Sequence, residues 1–176
     1  MNSKRVSRSV GKKLVTAPRL LLGVIITAAV VAAAGVWFSI PTSDAKVAEV
    51  MVYKTASCGC CNKWVAHLRD NEFEVSVVNV SNTQPTRERL GVPRQLGSCH
   101  TAVVGQYWVE GHVPADLIQR LIAEKPDDIR GIAAPGMPVG SPGMEGPNPV
   151  EYKVLAYGTD GKTTVYATRQ GRSSPQ

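Results

Sequence analysis

The sequence predicts an α/β domain: a mixed sheet with helices packed against it, followed by a Gly/Pro/Met loop and a β-hairpin. Three observations predict it. Short β-branched runs alternate with segments of helical spacing between residues 47 and 124, which implies strands and helices packed in layers. Two alternating runs near the C-terminus, 151–157 and 163–168, flank Thr159-Asp160-Gly161 and read as a hairpin. Between these blocks, residues 126–149 are crowded with glycine and proline, which reads as a loop without regular structure.

Residues 47–53 are short and valine-rich and read as a buried strand. Ser57 is a plausible N-cap, and a helix runs from about Cys58 to Asn71, with Cys61, Trp64, Val65 and Leu68 on its buried face. Residues 73–80 suggest a second strand. A short helix over 83–90 is ended by Gly91-Val92-Pro93. Residues 101–104 and 106–110 read as two strands turning at Gly105, and a helix over 114–124 carries proline in its first turn. Its apolar stripe is Leu117, Ile118, Leu121 and Ile122. The order is β-α-β-α-β-β-α before the loop and hairpin.

The N-terminal region differs from the rest. Residues 1–19 hold Lys4, Arg5, Arg8, Lys12, Lys13 and Arg19 and no acid. Those six account for the whole net charge of +6, because the remainder carries 14 basic and 14 acidic residues. No basic stripe is left for a phosphate backbone, so nucleic acid is not expected as a partner. Residues 20–40 carry no charge and are long enough to cross a bilayer. The basic flank would stay in the cytoplasm. The apolar run is either an uncleaved anchor in the inner membrane or the core of a secretory signal, with Ser43-Asp44-Ala45 as a cleavage site. Either way residues 41–47 link it to a domain over 48–170, with a short tail over 171–176. The domain is expected on the periplasmic side of the inner membrane, anchored there or soluble after cleavage.

The chemistry concentrates in Cys58-Gly59-Cys60-Cys61; the fourth cysteine is Cys99. Neighbouring cysteines bridge only with strain. Thiolates are soft ligands for Cu(I), zinc and iron–sulfur clusters. Cys58 and Cys61 also have the spacing of a dithiol redox pair. Cys60 is the sulfur a plain redox pair does not need, and clustered thiolates can bridge more than one Cu(I). A strand feeding a helix whose N-terminus carries the thiols is the thioredoxin arrangement, in which the helix dipole favours a thiolate. Thioredoxins usually place a cis-proline opposite this turn. Here Ser98-Cys99-His100-Thr101 has none, which leaves room for Cys99 as a fourth sulfur. Metal binding, thiol redox chemistry, and one disulfide beside two buried free cysteines all remain open on the residues alone. A structural zinc site normally uses two spaced knuckles, and only one compact cluster is present.

Three histidines and two methionines bear on the site. If Cys99 faces the sulfurs, strand alternation turns His100 away. His112 lies at a strand-to-helix junction and reads either as a ligand or as an exposed turn residue. His67 reads as helix surface. Met137 and Met144 lie in the Gly/Pro loop and offer either soft thioether ligands or hydrophobic plugs.

These residues resemble a known family. Thr55 to Trp64 with its CxCC turn, Gly97 to Ala102, Tyr107 to Pro114, and Gly136 to Met144 look like the CopG-type copper-resistance proteins, over roughly residues 48–170. The resemblance implies a thioredoxin-like domain outside the cytoplasm that acts with other copper-resistance proteins. It implies a cysteine-bridged copper cluster on Cys58, Cys60, Cys61 and Cys99, with His112 and Met137 as further ligands. The expected function is Cu(I) binding in copper resistance, extended to redox cycling of copper. The alternatives are a thiol-disulfide oxidoreductase using Cys58 and Cys61, and a zinc-binding or metal-transfer module. Whether the protein turns over a substrate is left open.

Overall fold

The protein is described by a computed structural model over residues 48–173. The basic tail, the apolar run 20–40, the linker 41–47 and the last three residues lie outside the described residues. Among the described residues seven strands form one sheet: β1 (Glu49–Lys54), β2 (Glu74–Asn79), β3 (Thr101–Val104), β4 (Tyr107–Gly111), β5 (Ile129–Ala134), β6 (Glu151–Gly158) and β7 (Thr163–Gln170). Their order is β2-β1-β3-β4-β5-β6-β7. The helices among the described residues are α1 (Gly59–Asp70), α2 (Gln84–Leu90) and α3 (Ala115–Glu124), with a 3-10 turn at Arg94–Leu96. The β1-α1-β2-α2-β3-β4-α3 portion is a thioredoxin-like α/β fold, and β5 to β7 extend its sheet on one side.

Each helix forms where its apolar spacing meets a sheet face. Trp64, Val65 and Leu68 of α1 and Leu117, Ile118 and Leu121 of α3 are buried against Val50, Val52, Ala102, Val104, Val109 and Ile132. The opposite face holds a smaller cluster of Val92, Leu96, Trp108 and Ala133. Covered on both faces, β4 is buried at all five positions, as central strands of such sheets are.

β1 pairs with β2 in parallel and with β3 antiparallel, β3 pairs with β4 antiparallel, and β4 pairs with β5 in parallel. This topology fixes the site. The C-terminal end of β1, the N-terminal end of β3 and the C-terminal ends of β4 and β5 all reach one edge of the sheet. Registers Tyr53↔Thr101, Thr101↔Glu110 and Gly111↔Ala134 align them. The CxCC turn, the Cys99 turn, His112 and the loop after Ala134 therefore emerge side by side.

Two expectations need correction. Part of the segment read as one long loop, Ile129–Ala134, is the strand β5. Its glycine and alanines have weak strand propensity, and tertiary packing places it instead. At Gly131 an added Cβ would overlap the Trp108 indole, so the small residue is what lets β5 lie beside β4. The helix cap is also different. Cys58, not Ser57, is the N-cap of α1, and its sulfur accepts from the Cys61 N–H at 3.4 Å.

Candidate metal centre

Four sulfurs meet at the N-terminus of α1. Cys58 caps the helix and Cys61 lies in its first turn. The two are joined as a disulfide with Cα atoms 5.3 Å apart, while Cys60 and Cys99 are free thiols. Cys60 Sγ lies 3.5 Å from Cys58 Sγ and 4.0 Å from Cys99 Sγ. One donor atom from each of the four cysteines falls within 4.8 Å of the others. The turn before them is held by the Thr55 carbonyl, which accepts from the Cys58 N–H at 3.1 Å and from the buried Lys54 ammonium at 2.9 Å.

Two imidazoles complete the cluster on its buried side. Cys99, His100 and His112 form a second group of donors within 4.8 Å of one another. His112 Nε2 is 2.9 Å from Cys99 Sγ, and its Nδ1 is 2.8 Å from the Pro142 carbonyl oxygen. A carbonyl only accepts, so Nδ1 carries the proton and Nε2 keeps its lone pair toward the sulfur. This is how a ligating histidine is normally oriented. Burial holds His112 below the usual imidazole range, against the Pro142 contact and the charge of Glu145. The ring is therefore neutral, the form that binds metal.

His100 is fully buried, with Nδ1 3.5 Å from Cys99 Sγ and ring centroids 4.3 Å from Trp64 and 4.9 Å from His112. Burial holds it well below the ordinary value, and protonation of the adjacent His112 would push it the same way. Its Nε2 has no hydrogen-bond partner. His100 is not turned away by strand alternation, because β3 begins only at Thr101. Residues 99 and 100 lie in an irregular turn and face the same cluster. His112 is buried rather than an exposed turn residue. Its loop folds inward because Trp64 Nε1 donates to the next carbonyl, that of Val113, at 2.8 Å.

Cys99 has its thiol pushed up to about 11, chiefly by burial and then by the neighbouring Cys60, with the Ser98 hydroxyl opposing. Both imidazoles are neutral and so do not offset that burial. A bare thiolate is therefore disfavoured, and a soft cation that replaces the proton fits this donor set.

The Gly/Pro loop closes over the cluster. Gly143, at φ +82°, lies so close to α1 that an added Cβ would sit 2.8 Å from both the Cys60 carbonyl oxygen and the Trp64 nitrogen. Ser98 Oγ donates to the Gly136 carbonyl, and the Gly136 N–H donates to the Gly97 carbonyl at 3.2 Å. Past β7, Gly171 and Arg172 donate to Val150 and Gly140 at 2.9 and 2.8 Å, which ties the far side of the loop to the sheet. Met137 is 57 % exposed and Met144 is half-buried. His67 is not mere helix surface: it is half-buried, and its Nε2 accepts from the Ala115 N–H at the start of α3, at 3.1 Å.

Two side chains that the sequence reading did not single out also border the cluster. Glu110 of β4 is completely buried and pairs with Arg87 of α2 at 2.7 Å. A charged residue near the end of the otherwise apolar strand 107–111 was the available signal.

A family model described as a protein of unknown function, DUF411, matches residues 96–144. No curated protein matches the chain. Two solved structures do. One, titled copper resistance protein copG, form 2, is 41 % identical; the match covers 70 % of this chain and 99 % of that one, with a TM-score of 0.67. The other, titled copper resistance protein copG, form 1, is 43 % identical, with 70 % and 98 % covered and a TM-score of 0.65. At that identity over nearly the whole of both structures, and with the sulfur-rich edge built on the same fold, this chain belongs to the CopG family of copper-resistance proteins.

Proposed function

We propose that this protein binds Cu(I) in copper resistance, through the thiolates of Cys58, Cys60, Cys61 and Cys99 together with His112 Nε2. The observation that carries the reading is the meeting of four sulfurs and an oriented, neutral imidazole at one sheet edge. Soft sulfur with imidazole is a donor set for Cu(I) more than for hard cations. Four sulfurs within bridging distance favour more than one copper per chain. Zinc also takes sulfur and nitrogen donors, and it stands as the competing metal. Met137 would join only if the exposed loop swings its thioether inward. The domain would face the periplasm, held there by residues 20–40 or released by cleavage, and pass copper to or from other copper-resistance proteins.

The Cys58–Cys61 disulfide favours a second reading. Two electrons and two protons from an external thiol reductant open it, after which all four sulfurs are free for metal. That same exchange is the chemistry of a thiol-disulfide oxidoreductase, and Cys60 lies 3.5 Å from the Cys58 sulfur, in reach to act on the bond. Redox cycling of copper at the cluster would join the two activities. Elemental analysis of the protein from copper-fed cells separates the readings. Copper retained in excess of zinc supports the first. Metal-free protein with disulfide reductase activity that survives Cys60→Ser supports the second.

A further inference from the structure

We propose that the buried Arg87–Glu110 pair is the positioning device of the Cys99 sulfur: it takes the place of a proline at this turn and keeps the fourth donor in register with the other three. The inference rests on the copper-binding reading for its main test, and on metal-free thiol chemistry for its second.

The contacts converge on the residues either side of Cys99. Glu110 Oε1 accepts from the Ser98 N–H at 2.6 Å and from Arg87 Nε at 2.7 Å, and Oε2 accepts from the Thr101 hydroxyl at 2.5 Å. The Arg87 guanidinium also donates to the Ser98 carbonyl. That carbonyl belongs to the peptide bond that enters Cys99. One ion pair therefore holds both backbone polar groups of Ser98 and the side chain of Thr101. The plane of the Ser98–Cys99 peptide is set from one side, and the start of β3 from the other. The Cα–Cβ direction of Cys99 follows, and with it a sulfur 2.9 Å from His112 Nε2 and 4.0 Å from Cys60 Sγ.

Three features separate this pair from ordinary core filling. Glu110 is fully buried and the Arg87 side chain is 13 % exposed, so both charges bear a desolvation cost that apolar residues in their place would avoid. Both carboxylate oxygens are engaged by protein donors, so Glu110 acts on the metal through Cys99 rather than as a ligand. Finally, residues 97–100 have no regular structure of their own, and a turn of that kind needs side chains to define it. The guanidinium suits the task because its fork spans a carboxylate and a carbonyl at once, which an ammonium does not.

The test uses the full-length chain, reduced and anaerobic, with Cu(I) affinity read by competition against a chromophoric Cu(I) chelator. Circular dichroism first establishes that each variant is folded. Glu110→Gln and Arg87→Lys should each weaken Cu(I) binding by about 10–100-fold, the usual effect of losing a group that orients a ligand. Neither change should weaken binding further in a Cys99→Ser background, because the sulfur they position is gone. Equal losses in both backgrounds, or no loss in a folded variant, would overturn the proposal. If Glu110→Gln fails to fold, Arg87→Lys decides alone, since it keeps the counter-charge and loses only the fork. A metal-free arm uses Cys58→Ser/Cys61→Ser, in which dithiodipyridine should oxidise Cys60 and Cys99 to a disulfide. Arg87→Lys should slow that closure by about tenfold if the turn is released, and an unchanged rate would overturn the proposal. Should the wild-type chain bind no Cu(I), the copper reading fails and this arm still decides the positioning role.

Discussion

Replacing Gly143 by alanine probes how tightly the Gly/Pro loop must sit on the cluster. Two costs can be worked from the structure. An L-residue at φ +82° gives up about 1 kcal/mol to the left-handed backbone. The new methyl would lie 2.8 Å from the Cys60 oxygen and 2.8 Å from the Trp64 nitrogen, both backbone atoms within α1 that cannot swing aside. Relieving those contacts moves the loop outward by roughly half an ångström, at an overpacking cost of about 2 kcal/mol. The sum is about 3 kcal/mol, or about 10 °C in Tm for a domain of this size. The same retreat stretches the 2.8 Å contact between Pro142 and His112 Nδ1 to the limit of a hydrogen bond. The Nε2 lone pair then loses its fixed orientation toward Cys99. The assay is thermal melting of the reduced, metal-free protein, with the His112 ring nitrogens followed by NMR. Two alanine controls in the same loop divide the costs. Gly136 has φ +70° and open space around its Cβ, so it should show the backbone cost alone. Gly146 has an ordinary contact at 3.5 Å and should be near neutral. A Gly143→Ala protein that melts within 2 °C of wild type (a difference of under about 1 kcal/mol), with unchanged His112 resonances, would refute the reasoning.

Trp64→Phe removes the donor to the Val113 carbonyl and leaves a buried acceptor unpaired. A loss of about 1–3 kcal/mol is expected in urea unfolding, with weaker metal binding because His112 adjoins that carbonyl. Gly131→Val drives a branched side chain into the Trp108 indole and should cost more than about 4 kcal/mol, seen as loss of soluble folded protein. His67 is held below the usual imidazole value by burial and then by Arg172, so the unfolded chain takes up its proton first. Its contribution is present above about pH 6.5 and is lost as the pH falls through the lowered folded value. Protonation also ends its role as acceptor for the Ala115 N–H. Melting curves of wild type and His67→Gln should therefore converge as the pH drops from 7 to 5, and a constant gap would contradict this.

Most of the core domain was legible because its elements carry their own periodicity. The predicted strand at 101–104 coincides with β3, α1 buries the whole predicted stripe of Cys61, Trp64, Val65 and Leu68, and α3 buries Leu117, Ile118 and Leu121 of its own while Ile122 is only half-buried. β5 was not legible, since Gly131, Ala133 and Ala134 acquire their extended form from neighbours in the sheet. The sulfurs could be found from spacing, but their surroundings could not. The inward turn of His112 depends on the contact between Trp64 and Val113, which lie 49 positions apart in sequence. The clamp on Cys99 depends on Glu110 meeting Arg87 across 23 positions. His67 looked like surface because periodicity sees only its own helix, whereas its partner is the N-terminus of α3.

The central claim is that four sulfurs act together as a soft-metal site, and anaerobic titration of the reduced full-length chain with Cu(I), counting tightly bound copper, tests it most directly. More than one Cu(I) per chain is expected, with thiolate-to-copper absorption, and a clear drop in both for Cys60→Ser and for Cys99→Ser. Less than one copper per chain, or a stoichiometry that Cys60→Ser leaves unchanged, would contradict it.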